Sequence, residues 1–376
     1  MRIGIDCRTY WSHWGYIGKY IESFVSYLQQ NEDSHEYVLF FNDRELSGFT
    51  RVSKNIRTIK TSAKRGNLSE QIIFPYELKK EKLDIMLFSE PRIPFFYFKK
   101  SIIILPDLLQ YFYPEKHLKW TWMRNWHNYI LRQSIRKSDT IIALSEVLKH
   151  DIIEIFDTPE EKIHIISPMY YDILLISENE SKQFLQKENL NKEYILSVWE
   201  LREYKNIPRF LQAYNMLLKE HEIDMDLVLV GKEDPTYHEI RSTLIDLWLQ
   251  NRVHIYNIHE DDKLGILYQN ASLYVLPSLY EGSEQTLLSS FAYCLPTVSS
   301  ILPSITPFLG KNNVASFRPM SIPDMREALR KALKNPLIKR DKKYMTAYSP
   351  SSVSRQMLDI FNLYKGTEEK SEKEEK

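Results

Sequence analysis

Apolar residues along this chain gather into short continuous runs, separated by longer stretches in which they recur every three or four positions. Short runs rich in Val, Ile, Leu and Phe fit strands buried on both faces of a parallel sheet, and the longer spacing fits helices with one apolar side. In the first half the runs predict strands at Arg2–Asp6, Tyr37–Phe41, Arg57–Lys60, Asp84–Phe88, Ser101–Leu105, Thr140–Leu144 and Lys162–Ile166. Helices are predicted between them at Ile17–Gln30, Ser69–Lys82, Lys119–Arg136 and Glu146–Phe156. Residues 173–192 are polar and charged without a strand pattern, which predicts a helix or a linker. A second series follows, with strands at Tyr194–Val198, Asp226–Val230, Val253–Asn257, Leu273–Leu276, Thr297–Ser300 and Val314–Phe317. Its helices are predicted at Ile207–Glu220, Tyr237–Gln250, Asp261–Asn270, Glu284–Cys294, Ile322–Lys334 and Pro350–Tyr364.

Strands alternating with helix-length segments argue for βαβ units, hence an α/β protein with doubly wound parallel sheets. Two such series predict two Rossmann-like domains, 1–172 and 193–349, facing an interdomain cleft, with a closing helix at 350–365. The tail 366–376 is nearly all Glu, Lys and Ser and is expected to be disordered. In open α/β sheets a ligand lies beyond the carboxyl ends of the strands, so the loops that follow strands are where the chemistry is sought.

Composition narrows the classes. A chain of 376 residues, 43% hydrophobic, can fill two cores. Its 50 basic residues balance 50 acidic ones, which argues against a nucleic-acid binder. Cys7 and Cys294 are far apart and make neither a disulfide framework nor a metal cluster, so no metal is expected and a reducing compartment is. The chain opens on a strand pattern, and no run reaches the ~20 apolar residues of a membrane span. The expectation is a cytoplasmic protein, at most peripheral on the inner face of the cell membrane.

Two stretches of the second series carry the most chemistry. In Val275-Leu276-Pro277-Ser278-Leu279-Tyr280-Glu281-Gly282 a buried strand gives way to a turn bearing an acid and a glycine, and Ser283 and Glu284 lead into a helix. Unpaired N–H groups at such a helix start suit a phosphate, and Glu281 beside them suits a sugar hydroxyl. On spacing alone, a solvated acid in a turn explains the same residues. In Ser197-Val198-Trp199-Glu200-Leu201-Arg202-Glu203-Tyr204-Lys205-Asn206-Ile207, Lys205 stands just before a helix, where an ammonium suits a diphosphate. An ordinary surface lysine is the alternative.

Together these stretches resemble the donor-site motifs of the family 4 (group 1) retaining glycosyltransferases, whose fold is GT-B. The resemblance runs from Met1 to about Tyr364 and is better in the second half. It implies that Glu281 holds the donor sugar and that Lys205, helped by Arg202, neutralises the donor diphosphate, with Gly282, Ser283 and Glu284 beside it. The family's second glutamate, eight positions on, falls on Ser289, and a glycine before the next strand's proline is Leu295. Two further patches match in order. Gly4-Ile5-Asp6-Cys7-Arg8 with Tyr16-Ile17-Gly18 resembles the first strand and glycine loop, and Gly18 is assigned to donor binding. Leu105-Pro106-Asp107 resembles a His-Asp pair in which Pro106 has replaced the histidine and Asp107 is left to orient an acceptor hydroxyl. The resemblance implies sugar transfer from a nucleotide-sugar donor to a saccharide or lipid-linked acceptor, with retention and no cofactor, in polysaccharide biosynthesis.

Three readings stand side by side. Lys205 and Glu281 favour an active glycosyltransferase. Ser289, Pro106, Trp199, Tyr16 and Leu295 favour an inactive subunit that stabilises or activates a partner glycosyltransferase. A nicotinamide or flavin oxidoreductase is disfavoured, since the chain has 10 glycines and no G-x-G-x-x-G after the first strand of either series. Separately, residues 116–138 hold no acid, while Lys119, Arg124, Arg132, Arg136 and Lys137 alternate with Trp120, Trp122, Trp126 and Tyr129. Such a helix suits peripheral contact with an anionic membrane. The spacing also suits a core helix burying Trp122, Met123, Trp126, Ile130 and Leu131, and that second reading is preferred.

Overall fold

A computed structural model describes residues 1–374 apart from 11–15, 32, 115–120, 171–175, 199, 259–260, 283–284, 310–313 and 337–344. The chain divides into two compact units, Met1–Met169 with Ser349–Lys376, and Tyr170–Tyr348.

In the first unit seven strands, β1 Arg2–Asp6, β2 Glu36–Phe41, β3 Ile56–Lys60, β4 Ile85–Phe88, β5 Ser101–Leu105, β6 Thr140–Ala143 and β7 Ile163–Ile165, form one sheet. Its order is β3-β2-β1-β4-β5-β6-β7, every described pairing parallel. The chain leaves β1 in one direction and later resumes on its other side at β4, so the switch point lies between these two strands. Around the sheet run α1 Tyr16–Gln30, α2 Asp43–Ser47, α3 Leu68–Lys80, α4 Leu109–Phe112, α5 Thr121–Lys137 and α6 Glu146–Phe156. The continuous apolar runs are buried at nearly every position, which is why the pattern located them. Gly4 sits in β1 where a Cβ would come within 2.5 Å of Leu83 Cδ1 and 2.6 Å of Met86 Sδ, so any larger residue there would push those two side-chain ends aside.

The second unit repeats the plan with six strands, β8 Tyr194–Val198, β9 Asp226–Val230, β10 Val253–Tyr256, β11 Leu273–Leu276, β12 Thr297–Ser300 and β13 Ala315–Phe317. Their order is β10-β9-β8-β11-β12-β13, again parallel, and the switch point falls between β8 and β11. The helices are α7 Glu178–Lys187, α8 Ile207–Lys219, α9 Glu239–Asp246, α10 Asp261–Asn270, α11 Gln285–Ala292, α12 Thr306–Leu309 and α13 Ile322–Lys334. Phe210, Leu211, Tyr214 and Leu217 on α8 pack with Leu227, Leu229, Leu273 and Val275 of the sheet.

The polar stretch 173–192 contains α7, fixed at its start by a capping box in which the Ser177 and Glu180 side chains each take the other's backbone N–H. Such a box contributes about 1 kcal/mol and lets a polar segment be helical. Two predicted helices are shorter than their patterns. α9 stops before Trp248 (φ 58°) and α11 before Cys294 (φ 56°), both left-handed. Leu249 and Leu295 N–H then bond back to Leu244 and Ser290 carbonyls at 2.9 Å, which closes each helix end. The last helix, α14 Pro350–Glu374, belongs to the first unit, where Phe361 stacks on Phe24 at 6.1 Å and Tyr364 bonds Thr140 at 2.6 Å. It extends through the tail expected to be disordered; Glu and Lys are good helix formers, so nothing stops the helix at Tyr364.

Candidate active site

The switch point of the second unit is built by two loops. After β8 the chain forms a short 3-10 turn at Glu203–Lys205 before entering α8 at Ile207. After β11 it passes Pro277 and Ser278 and reaches Glu281 and Gly282 ahead of α11. Leu279 N–H donates to the Tyr204 carbonyl at 2.7 Å and ties the loops together. Asn206 joins them again. It sits at φ 57°, a left-handed conformation that Asn tolerates, and its Nδ2 donates to the carbonyls of Pro277 (3.0 Å) and Pro319 (2.7 Å).

This framework places Lys205 against Glu281. Lys205 Nζ donates to Glu281 Oε1 at 2.5 Å, with the side chains 4% and 9% exposed. The Ser278 hydroxyl donates to the same carboxylate oxygen, and Ser304 Oγ donates to the Glu281 backbone carbonyl at 3.0 Å. Lys205 Nζ also lies 5.0 Å from the centre of the Tyr204 ring. Two full charges kept this dry persist because each compensates the other, and removing one would strand its partner. The pair stands where strand-end geometry directs a ligand.

The other assigned positions differ in placement. Arg202 is partly exposed and pairs with Glu200 at 2.7 Å, so its described ion-pair partner is Glu200 and not Glu281. Gly282 is half-buried beside Glu281. Ser289 is fully buried in α11 and donates to the Gln285 carbonyl at 2.9 Å. Ser283, Glu284 and Trp199 lie outside the described residues. Gln285, at the first turn of α11, is 2% exposed, and its Oε1 has no hydrogen-bond partner among the described residues. A buried acceptor without a donor is costly, and one at a strand-end site suits a ligand hydroxyl. Neither Gln285 nor Asn206 stood out in the sequence. The available signal was Asn206-Ile207-Pro208, a left-handed-tolerant residue with Pro at a helix start.

Asp107 and Gly18 belong to the first unit. Asp107 follows β5, and its Oδ1 accepts from Leu109 N–H at 2.8 Å at the start of α4. Gly18 is buried inside α1, so the stretch read as a glycine loop is helical from Tyr16 onward. At the end of β1 a buried triad went unread. Arg8 Nη2 donates to Asp6 Oδ2 at 2.7 Å and to Glu70 Oε1 at 2.9 Å, and stacks 3.9 Å from Phe74. Burial opposes the Arg8 charge, but Asp6 and Glu70 outweigh it and raise its pKa.

The basic, aromatic segment corrects the preferred expectation. Of the residues expected in the core only Leu131 is buried there, while Trp122 is 62% and Trp126 52% exposed. Helix α5 presents Ser134 and Ile135 to the core with Leu131, one short stripe further along. No helix among the described residues is long and apolar enough to cross a membrane, and they hold no group of three or more His, Cys, Asp or Glu placed to bind a metal.

Residues 178–349 match the family described as glycosyl transferases group 1. The serotype-specific mannosyltransferase WbdA of Escherichia coli is 27% identical over 249 residues, 65% of this chain but 30% of that protein. The O-antigen chain mannosyltransferase RfbU of Salmonella typhimurium is 24% identical over 205 residues, 54% of this chain and 53% of that one. The chain thus spans about a third to a half of these curated relatives. In fold it is similar to WaaG, a glycosyltransferase involved in lipopolysaccharide biosynthesis, with a TM-score of 0.73 and 16% identity over 95% of this chain and 99% of that one.

Proposed function

We propose that this chain, a group 1 glycosyltransferase by the match of residues 178–349 and GT-B in fold, moves a hexosyl group from a nucleotide-diphosphate donor to a saccharide or lipid-linked acceptor. The observation that carries the proposal is the buried Lys205–Glu281 pair at the switch point of the second unit. A lysine and a glutamate are held here at a strand-end crevice by Asn206, Ser278 and Ser304.

In this reading donor binding exchanges partners. Diphosphate oxygens take the Lys205 ammonium, and sugar hydroxyls donate to the Glu281 carboxylate. As the bond from the anomeric carbon to the diphosphate breaks, negative charge grows on the leaving oxygen, and Lys205 stabilises it more than it does the ground state. The acceptor hydroxyl attacks the anomeric carbon, and its proton leaves with the diphosphate. Retention of configuration belongs to this proposal through the family match. Because WbdA and RfbU are named as mannosyltransferases, mannose is the first sugar to try.

Contact with a membrane surface is the second part of the reading. Trp122, Trp126 and Tyr129 stand exposed on α5, at 62%, 52% and 47%. Exposed Trp and Tyr on a basic helix are suited to the headgroup region of an anionic bilayer.

The test is calorimetric titration of the full chain with UDP, GDP, ADP, CDP and dTDP, repeated on the Lys205→Met/Glu281→Gln double variant. Saturable binding of one nucleotide by wild type, weakened at least tenfold in the variant, supports the donor site. No binding by folded wild type would move the account to the non-catalytic subunit.

A further inference from the structure

The first unit has a cavity outside the strand-end loops just described. It lies between the start of α3 and one side of α5, with a volume of about 470 Å³, within the usual range for small-molecule sites. Leu68, Trp122, Met123, Trp126 and Ile130 supply apolar walls, and Arg92 supplies a cation.

Three observations point to one class of occupant. First, the helices around the cavity wear their apolar residues outward. On α3, Leu68 (79%), Ile72 (64%) and Tyr76 (62%) follow one another at four-residue spacing in solvent, while Glu70 on the same helix is 2% exposed. On α5, Trp122, Trp126 and Tyr129 are exposed at four- and three-residue spacing, and Phe95 adds a ring 6.1 Å from Trp126. An exposed apolar surface of this extent, with a cavity opening into it, marks a binding face. Secondly, the acid at the cavity wall is already spent: Glu70 Oε1 accepts from Arg8 and its Oε2 accepts from Gly66 N–H at 2.9 Å. Thirdly, Arg92 has no hydrogen bond or ion pair from its side chain among the described residues. Gly66, at φ 77°, leaves room beside it, since a Cβ there would sit 3.4 Å from Arg92 Nη1. Aromatic and aliphatic walls ending at an uncommitted guanidinium complement an apolar chain ending in a phosphate.

We infer that this cavity binds a single phosphate-bearing membrane lipid, its chain between Leu68 and the two tryptophans and its phosphate on Arg92. The inference deepens the membrane-contact part of the proposed function, on which it rests. It turns a face that lies on a bilayer into one that takes hold of one lipid there.

The experiment uses the full chain and monomeric decyl phosphate, below its micelle concentration, against decanol and inorganic phosphate, by titration calorimetry. Wild type is expected to bind decyl phosphate saturably, at least ~10-fold tighter than decanol, and to ignore inorganic phosphate. Arg92→Gln, a half-buried position away from both cores' strands, should erase the preference and keep the decanol affinity. Equal affinity for decyl phosphate and decanol, a preference intact in Arg92→Gln, or no saturable binding overturns the inference. In parallel, co-sedimentation with phosphatidylglycerol vesicles reads the surface contact alone. Vesicle binding lowered by Trp122→Ala without decyl phosphate binding would sink the cavity and leave the surface standing.

Discussion

Replacing Lys205 by Met should separate what the buried pair does for folding from what it does for a donor. The substitution keeps the aliphatic stem and removes the ammonium, leaving a 9% exposed carboxylate on Glu281 with the Ser278 hydroxyl still donating to it. Stranding one member of a buried pair costs about 3–5 kcal/mol. The Ser278 bond exists in wild type too, so it does not offset the loss; water entering through the loops does, and ~3 kcal/mol is the working figure. For a unit of this size, at roughly 2–4 °C per kcal/mol, the transition of residues 170–348 should fall by about 10 °C. Adding Glu281→Gln removes the stranded charge and keeps an acceptor for Ser278, so the double variant should recover to within about 1 kcal/mol of wild type. Nucleotide binding should stay lost in both. Scanning calorimetry and nucleotide titration on the three proteins read the two quantities apart. A double variant as unstable as the single, or a single variant that binds nucleotide as wild type does, would refute the reasoning.

Other positions give independent tests. Gln285→Leu removes a buried acceptor that has no donor among the described residues, so stability should rise by about 1 kcal/mol while donor affinity falls; a drop in stability on denaturant titration would show that Oε1 is satisfied in solution. Asn206→Ala removes two loop-tying bonds and puts Ala at φ 57°, so it should cost about 2–4 kcal/mol and weaken nucleotide binding; an unchanged denaturation midpoint would contradict the loop account. Burial, then the Asp6 charge, push the Cys7 thiol well up, and Cys294 is exposed, so a thiol reagent at pH 8 should modify one cysteine in the native protein and both in denaturant. Fast modification of two would place Cys7 outside the core. In the proposed site Lys205 is the cation for the diphosphate, so EDTA should leave donor binding unchanged, and loss of binding would bring a metal into the mechanism.

Much of the fold was legible because parallel strands buried on both faces are continuous apolar runs, and β5 or β9 can hardly be read otherwise. What escaped depends on partners distant in sequence. Glu70 on α3 is buried because Arg8, 62 positions away, reaches it, and no local pattern announces that. Helix α5 was misjudged for the related reason that its tryptophans have core spacing, yet α5 turns Leu131 and Ile135 inward instead. The two members of the buried pair were legible one by one: Lys205 before a helix, Glu281 after a strand. Their contact was not, since 76 positions separate them and the two loops meet through the β8–β11 pairing and the Leu279–Tyr204 and Asn206–Pro277 bonds. Ser289 stands at a motif position carried over from the family, and its hydroxyl donates to the Gln285 carbonyl inside its own helix, a bond no sequence pattern announces.

Sugar transfer is read out by the release of nucleoside diphosphate from a panel of nucleotide sugars, mannose donors first, with and without a bacterial membrane-lipid extract as acceptor. Release is expected from one donor, rising with added acceptor and vanishing in the folded Lys205→Met/Glu281→Gln protein. Release that the double variant matches, or none from any donor by wild type that binds nucleotide, would contradict it.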